Sequence, residues 1–119
     1  MRVLLVDDEH ELVSALAERL SFRGIDADWV STCNDAIKRL DYKLFDVAIL
    51  DVKMPKMSGI DLKRALQKKC PTMKFIFMTG HGSQEDFKDC CEEAGAGYYL
   101  IKPVDIEALI NKIKEVLKI

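Results

Sequence analysis

The 119-residue chain has no apolar run longer than a few residues, whereas a membrane-spanning helix takes about 20. Its opening, MRVLLVDDEH, has an apolar stretch too short for a signal peptide, and acids follow at once. These residues read as a strand, and the expected location is cytoplasmic, away from membranes. A basic excess is missing too. Eighteen Lys and Arg against 20 Asp and Glu leave a formal net charge of −2, so direct nucleic-acid binding by this chain has no electrostatic footprint. Paired-cysteine spacing is also absent. Cys33, Cys70, Cys90 and Cys91 form no C-x-x-C, and an adjacent pair suits a zinc site poorly. Reduced, mostly buried thiols are the expectation. No repeat, low-complexity tract or linker interrupts the chain, which is expected to be one domain over 1–119.

What is present alternates between two patterns. Short β-rich runs occur at RVLLV (2–6), ADWV (27–30), DVAIL (46–50), KFIFM (74–78) and GYYLI (97–101). Between them the spacing is helical. Leu12, Val13, Leu16 and Leu20 share a face ahead of Gly24, and Ala36, Ile37 and Leu40 follow a cap region at Asn34. Ser58 with Asp61 resembles a capping box for a helix carrying Ile60, Ala65 and Leu66. A fourth helix fits 84–94. A fifth carries Ile106, Leu109, Ile110, Ile113 and Leu117 at three- and four-residue steps. Five nearly all-apolar strands alternating with five helices predict an α/β fold, a five-stranded parallel sheet with helices on both faces.

In such a sheet every strand points its carboxyl end at one edge, where ligands bind. Asp7 and Asp8 follow the first strand, Asp51 ends the third, Thr79 follows the fourth and Lys102 the fifth. The pattern does not encode strand order. In the flavodoxin-like order 2-1-3-4-5, strands one and three are neighbours and the three carboxylates face one crevice. Two unit charges about 5 Å apart at an effective dielectric of about 20 repel by roughly 3 kcal/mol. Either a carboxyl keeps its proton or a cation sits among them. Hard oxygen donors without histidine or cysteine favour Mg²⁺. The Thr79 hydroxyl and the Lys102 ammonium suit phosphoryl oxygens, with Asp51 as nucleophile.

The motifs VDD (6–8), LDVKMPKMSG (50–59), MTGHG (78–82) and YYLIKP (98–103) resemble, in order and over essentially the whole chain, the receiver domain of two-component response regulators. That resemblance implies a phosphoacceptor, Asp51, served by a sensor histidine kinase or phosphotransfer protein. It implies Mg²⁺ held by Asp7, Asp8, Asp51 and the Lys53 carbonyl, with Lys102 assisting transfer. Thr79 and Tyr99 would form the switch, acting on a face built from the helix over 84–94, the last strand and the last helix. A partner protein, a missing output domain or a second copy would read that face. It also implies a cis Lys102–Pro103 peptide, and modulation of phosphoryl lifetime by Lys53 and His81. Gly80 departs from the commonest pattern, which has alanine there. The chain would catalyse only its own phosphorylation and dephosphorylation, and would not be an enzyme otherwise.

Plainer readings exist for single residues. Asp8 with Glu11 has the spacing of a cap on the first helix. His81 reads equally well as an exposed loop residue, and Met54, Met57, Met73 and Met78 need no role beyond packing. Tyr98 and Tyr99 should point to opposite faces. Acids at Glu85, Asp86, Asp89, Glu92 and Glu93, with Lys112, Lys114 and Lys118, form either two solvated faces or a charge-paired homodimer surface. The competing function is a Mg²⁺-dependent phosphatase of the haloacid dehalogenase type, whose nucleophile follows the first strand with a second Asp two residues on. Here Asp7 is followed by Asp8 and Glu9.

Overall fold

The computed structural model describes residues 1–80, 88 and 98–119. In chain order these form β1 (Arg2–Val6), α1 (His10–Phe22), β2 (Asp26–Val30), α2 (Cys33–Arg39), β3 (Val47–Asp51), α3 (Gly59–Lys69), β4 (Lys74–Thr79), β5 (Tyr99–Ile101) and α4 (Ile106–Leu117). The strands make one parallel sheet in the order β2-β1-β3-β4-β5. The helix expected over 84–94, His81, Cys90, Cys91 and the acids at 85–93 lie outside the described residues.

Side chains alternate across each strand, and both sets are apolar. Val3, Leu5, Ile49, Ile76 and Met78 pack with Leu16 and Leu20 of α1 and Leu109 and Ile113 of α4. Leu4, Val6, Ala48, Leu50 and Phe77 pack with Ala36 of α2 and Leu62 and Leu66 of α3. Each fully buried Leu, Ile or Phe stabilises the fold by roughly 1.5–3 kcal/mol, so the sheet is the rigid part of the molecule. Tyr98 joins the first layer and Tyr99 the second, as alternation predicts.

The helix starts are built locally. Ser58 accepts the Asp61 N–H at 3.1 Å, as its spacing predicts, and Asp105 accepts that of Ala108 at 3.1 Å. Two expected caps fall elsewhere. Thr32, not Asn34, caps α2, accepting the Asp35 N–H at 3.1 Å. Thr32 is extended and immediately precedes the helix, whereas Asn34 is already inside it. At α1 the N-cap is Glu9, and no side chain caps the helix, so Asp8 has no capping role. Gly24 does end the α1 turn, with φ 79° and its N–H donating to Ser21 O at 3.0 Å. The free thiols described are Cys33, buried, and Cys70, half-buried. The Lys102–Pro103 peptide is cis, as expected. No helix of the described residues is long and apolar enough to cross a membrane.

Candidate functional site

β1 and β3 are neighbours, with Val6 opposite Leu50, so residues leaving their carboxyl ends share one crevice. Asp7 is fully buried, Asp51 is 5% exposed as the last residue of β3, and Asp8 opens to solvent. One carboxylate oxygen from each lies within 4.8 Å of the other two. On the far side, Thr79 ends β4 and is 1% exposed. The Lys102 N–H donates to the Thr79 carbonyl at 2.8 Å, fixing the two residues together. The Lys102 ammonium then reaches back across the crevice. Its Nζ is 2.6 Å from Asp7 Oδ2 and 3.6 Å from Asp51 Oδ2.

Electrostatics follow from this crowding. Burial, with the Asp7 charge beside it, raises the Asp51 carboxyl to about 6, against the opposing pull of Lys102 and the Lys53 N–H. Burial also raises Asp7, outweighing its bonds to Lys102 and to the Glu9 N–H. Burial works against the Lys102 ammonium, but the Asp7 carboxylate outweighs it and the lysine is raised. Three hard oxygen donors, two of them desolvated and one open to solvent, fit a small divalent cation of the Mg²⁺ kind. They leave it room for outside oxygens, as Mg²⁺ prefers.

The remaining expected residues are placed differently. Lys53 is exposed, and its N–H hydrogen-bonds to the Asp51 carboxylate. Tyr99 stands outside the carboxylate cluster, half-buried against the α2/α3 layer with its hydroxyl shielded from solvent. At Gly80 an added Cβ would meet nothing within 4 Å, so the space there would accept the commoner alanine.

Two residues at the site escaped sequence reasoning. A Cβ on Gly59 would lie 2.2 Å from the Asp51 carbonyl oxygen and 2.9 Å from its carbon, so α3 starts directly against the nucleophile's backbone. The Gly59 N–H donates to Val52 O at 2.8 Å, and the Val52 N–H to Met78 O at 3.0 Å, closing the loop onto the sheet. The signal was a glycine just inside a helix start, where a capping serine alone would have sufficed. Glu9 is the second, with Oε1 3.6 Å from Lys102 Nζ. Its signal was a third acid in the run DDE directly after a strand. Within the loop, Lys56 has φ 71°, and the Met57 N–H returns to Pro55 O at 2.8 Å, a tight turn that a non-glycine residue adopts only under strain. Cys33 Sγ donates to Met57 O at 3.7 Å.

Comparison with known proteins agrees with this fold. The family model of the response regulator receiver domain matches residues 3–114. The transcriptional regulatory protein CpxR of Escherichia coli K12 is 37% identical over 98% of this chain and 49% of its own length. The luminescence regulatory protein LuxO of Vibrio campbellii is 33% identical over 88% of this chain and 23% of its own length. The chain therefore spans between about a quarter and a half of these relatives. Among solved structures, a CheY-like response regulator receiver domain protein from Methanospirillum hungatei JF-1 superposes with a TM-score of 0.88 at 32% identity, covering 98% of this chain and 93% of that one. A response regulator receiver domain protein from Clostridium thermocellum gives 0.87 at 31%, covering 98% and 94%.

Proposed function

The chain belongs to the response regulator receiver domain family of two-component phosphorelay signalling, and on that premise we propose that Asp51 accepts a phosphoryl group from a phosphohistidine. The donor is a sensor histidine kinase or a phosphotransfer protein. The observation that carries this reading is the buried Asp51 carboxylate, with Asp7 and Asp8 within 4.8 Å on one side and Lys102 Nζ at 3.6 Å on the other.

In the transfer an Asp51 carboxylate oxygen forms a bond to phosphorus while the phosphorus–nitrogen bond to the donor imidazole breaks. The electron pair of that bond stays on the nitrogen, and the donor ring, already protonated on its other nitrogen, leaves as neutral imidazole. Water later attacks the acyl phosphate and returns the Asp51 carboxylate and inorganic phosphate. Asp7, Asp8, Asp51 and the Lys53 carbonyl would hold Mg²⁺, which would supply charge neutralisation for the phosphoryl oxygens. The Asp51 carboxylate is held for attack by the strand end, the Lys53 N–H and Gly59 packing. Lys102, desolvated and pre-placed, pairs with a phosphoryl oxygen once the charge leaves the Asp51 carboxylate. The chain catalyses only this acceptance and its own dephosphorylation.

The Thr79 hydroxyl takes another phosphoryl oxygen, and Tyr99 follows as the switch residue. That shift biases the expected signalling face, to which β5 and α4 belong, and a partner protein, an output domain or a second copy reads it. Lys53 and His81 modulate the lifetime of the phosphoryl group.

Incubation with acetyl phosphate and Mg²⁺, read by intact mass, tests the assignment. One phosphate adduct is expected on the native chain and none on Asp51→Asn. The same adduct on both would refute it. Multiple-turnover hydrolysis of phosphate monoesters surviving Asp51→Asn would instead establish the phosphatase reading.

A further inference from the structure

We propose that Glu9 is a positioning residue that restrains Lys102 before the phosphoryl group arrives and competes with that group for the lysine afterwards. The inference rests on Asp51 being the phosphoacceptor. Glu9 starts from a rigid point. Its N–H donates to Asp7 Oδ1 at 2.9 Å, and its carbonyl accepts the Val13 N–H at 3.0 Å as the N-cap of α1. From there Oε1 reaches to 3.6 Å from Lys102 Nζ, although the side chain is 63% exposed and the lysine only 10%.

Lys102 thus stands among three carboxylates, Asp7, Asp51 and Glu9. Two of these change when phosphorylation occurs. Asp51 becomes an acyl phosphate, and its charge moves outward onto the phosphoryl oxygens. Asp7 belongs to the cluster suited to the cation. Glu9 alone keeps its role, pulling the ammonium outward. Its removal therefore frees Lys102 for the phosphoryl group. A half-exposed ion pair of this kind alters an equilibrium by about two- to five-fold.

Four variants test this, Glu9→Gln, Glu9→Asp, Lys102→Gln and Glu9→Gln combined with Lys102→Gln. Beryllofluoride affinity at saturating Mg²⁺ and the lifetime of the acetyl phosphate adduct are the readouts. Glu9→Gln should bind beryllofluoride about two- to five-fold more tightly and lose its adduct correspondingly more slowly. Glu9→Asp keeps the charge but shortens the arm by about one 1.5 Å bond, and should behave like Glu9→Gln. In the Lys102→Gln background the Glu9 substitution should have no effect, because the double-mutant cycle then lacks the partner. The proposal is overturned by an unchanged Glu9→Gln, by Glu9→Asp behaving like the native chain, or by an effect that persists without Lys102. A native chain that forms the Asp51 adduct while Glu9→Gln changes nothing overturns this inference alone. A native chain that neither forms the adduct nor binds beryllofluoride overturns the phosphoacceptor reading with it.

Discussion

The apolar layer under α1 and α4 and the one under α2 and α3 cover opposite faces of the same strands, but they end differently at the charged edge. The α1/α4 layer is made of strand and helix residues with Ile25 from the α1–β2 connection, and Trp29, Tyr98 and Val104 pack at its margin. The α2/α3 layer runs on into the loop after Asp51, where Val52, Met54 and Met57 pack on it, and it also takes up Tyr99. The loop that carries on from Asp51 is thus seated directly on the α2/α3 layer, while the α1/α4 layer meets the same edge through Met78, which accepts the Val52 N–H.

Truncating a central residue in each layer tests that division most forcefully. Ile113→Ala and Leu66→Ala should each cost about 2–5 kcal/mol in urea unfolding. Only Leu66→Ala should also change the adduct lifetime in the folded fraction. Equal effects of the two on lifetime would erase the distinction.

The charged edge gives the next largest effect. With Asp51 raised to about 6 from an ordinary 3.8, the folded state binds this proton more tightly than the unfolded chain does. Metal-free protein should therefore lose stability as pH rises from about 4 through 6, amounting to about 3 kcal/mol by neutrality. Asp51→Asn should recover most of that at pH 7. Saturating Mg²⁺ should flatten the profile for the native chain, because a ligand of the folded state stabilises it. Thermal melts against pH, with chelator and with Mg²⁺, measure both.

At the junction of edge and layer, Gly59→Ala should cost about 1–3 kcal/mol by overpacking and abolish most adduct formation, because the new methyl displaces the Asp51 carbonyl. The neighbouring Ser58→Ala should cost about 1 kcal/mol through the lost cap and leave adduct formation near native. Intact mass and denaturant melts on both variants separate geometry from helix stability.

The sequence made the sheet legible because strands buried on both faces read as apolar runs, and Asp51 stood out as the charge that ends one. Asp7, Asp8, Asp51, Thr79 and Lys102 could all be assigned to one edge, since parallel strands send their carboxyl ends the same way. No local signal sets which strands pair, and the order 2-1-3-4-5 was legible only through the likeness to the receiver fold, which the sheet bears out. The caps at Thr32 and Glu9 were misplaced by one or two residues because several polar side chains near each start can serve. Gly59 was harder still. Its reason is a contact with a carbonyl eight positions earlier, which appears only once α3 is docked on β3. Glu9 was hidden for the same reason, because its partner Lys102 is distant in the chain and close only across the assembled crevice.

The bare approach of Gly59 to Asp51 leaves no slack between α3 and the strand that carries the acceptor. The eleven-residue helix, about 16 Å long, begins with its first residue directly against the Asp51 carbonyl. With Leu62 and Leu66 fully buried behind that contact, the acceptor's backbone and the start of α3 form one packed unit.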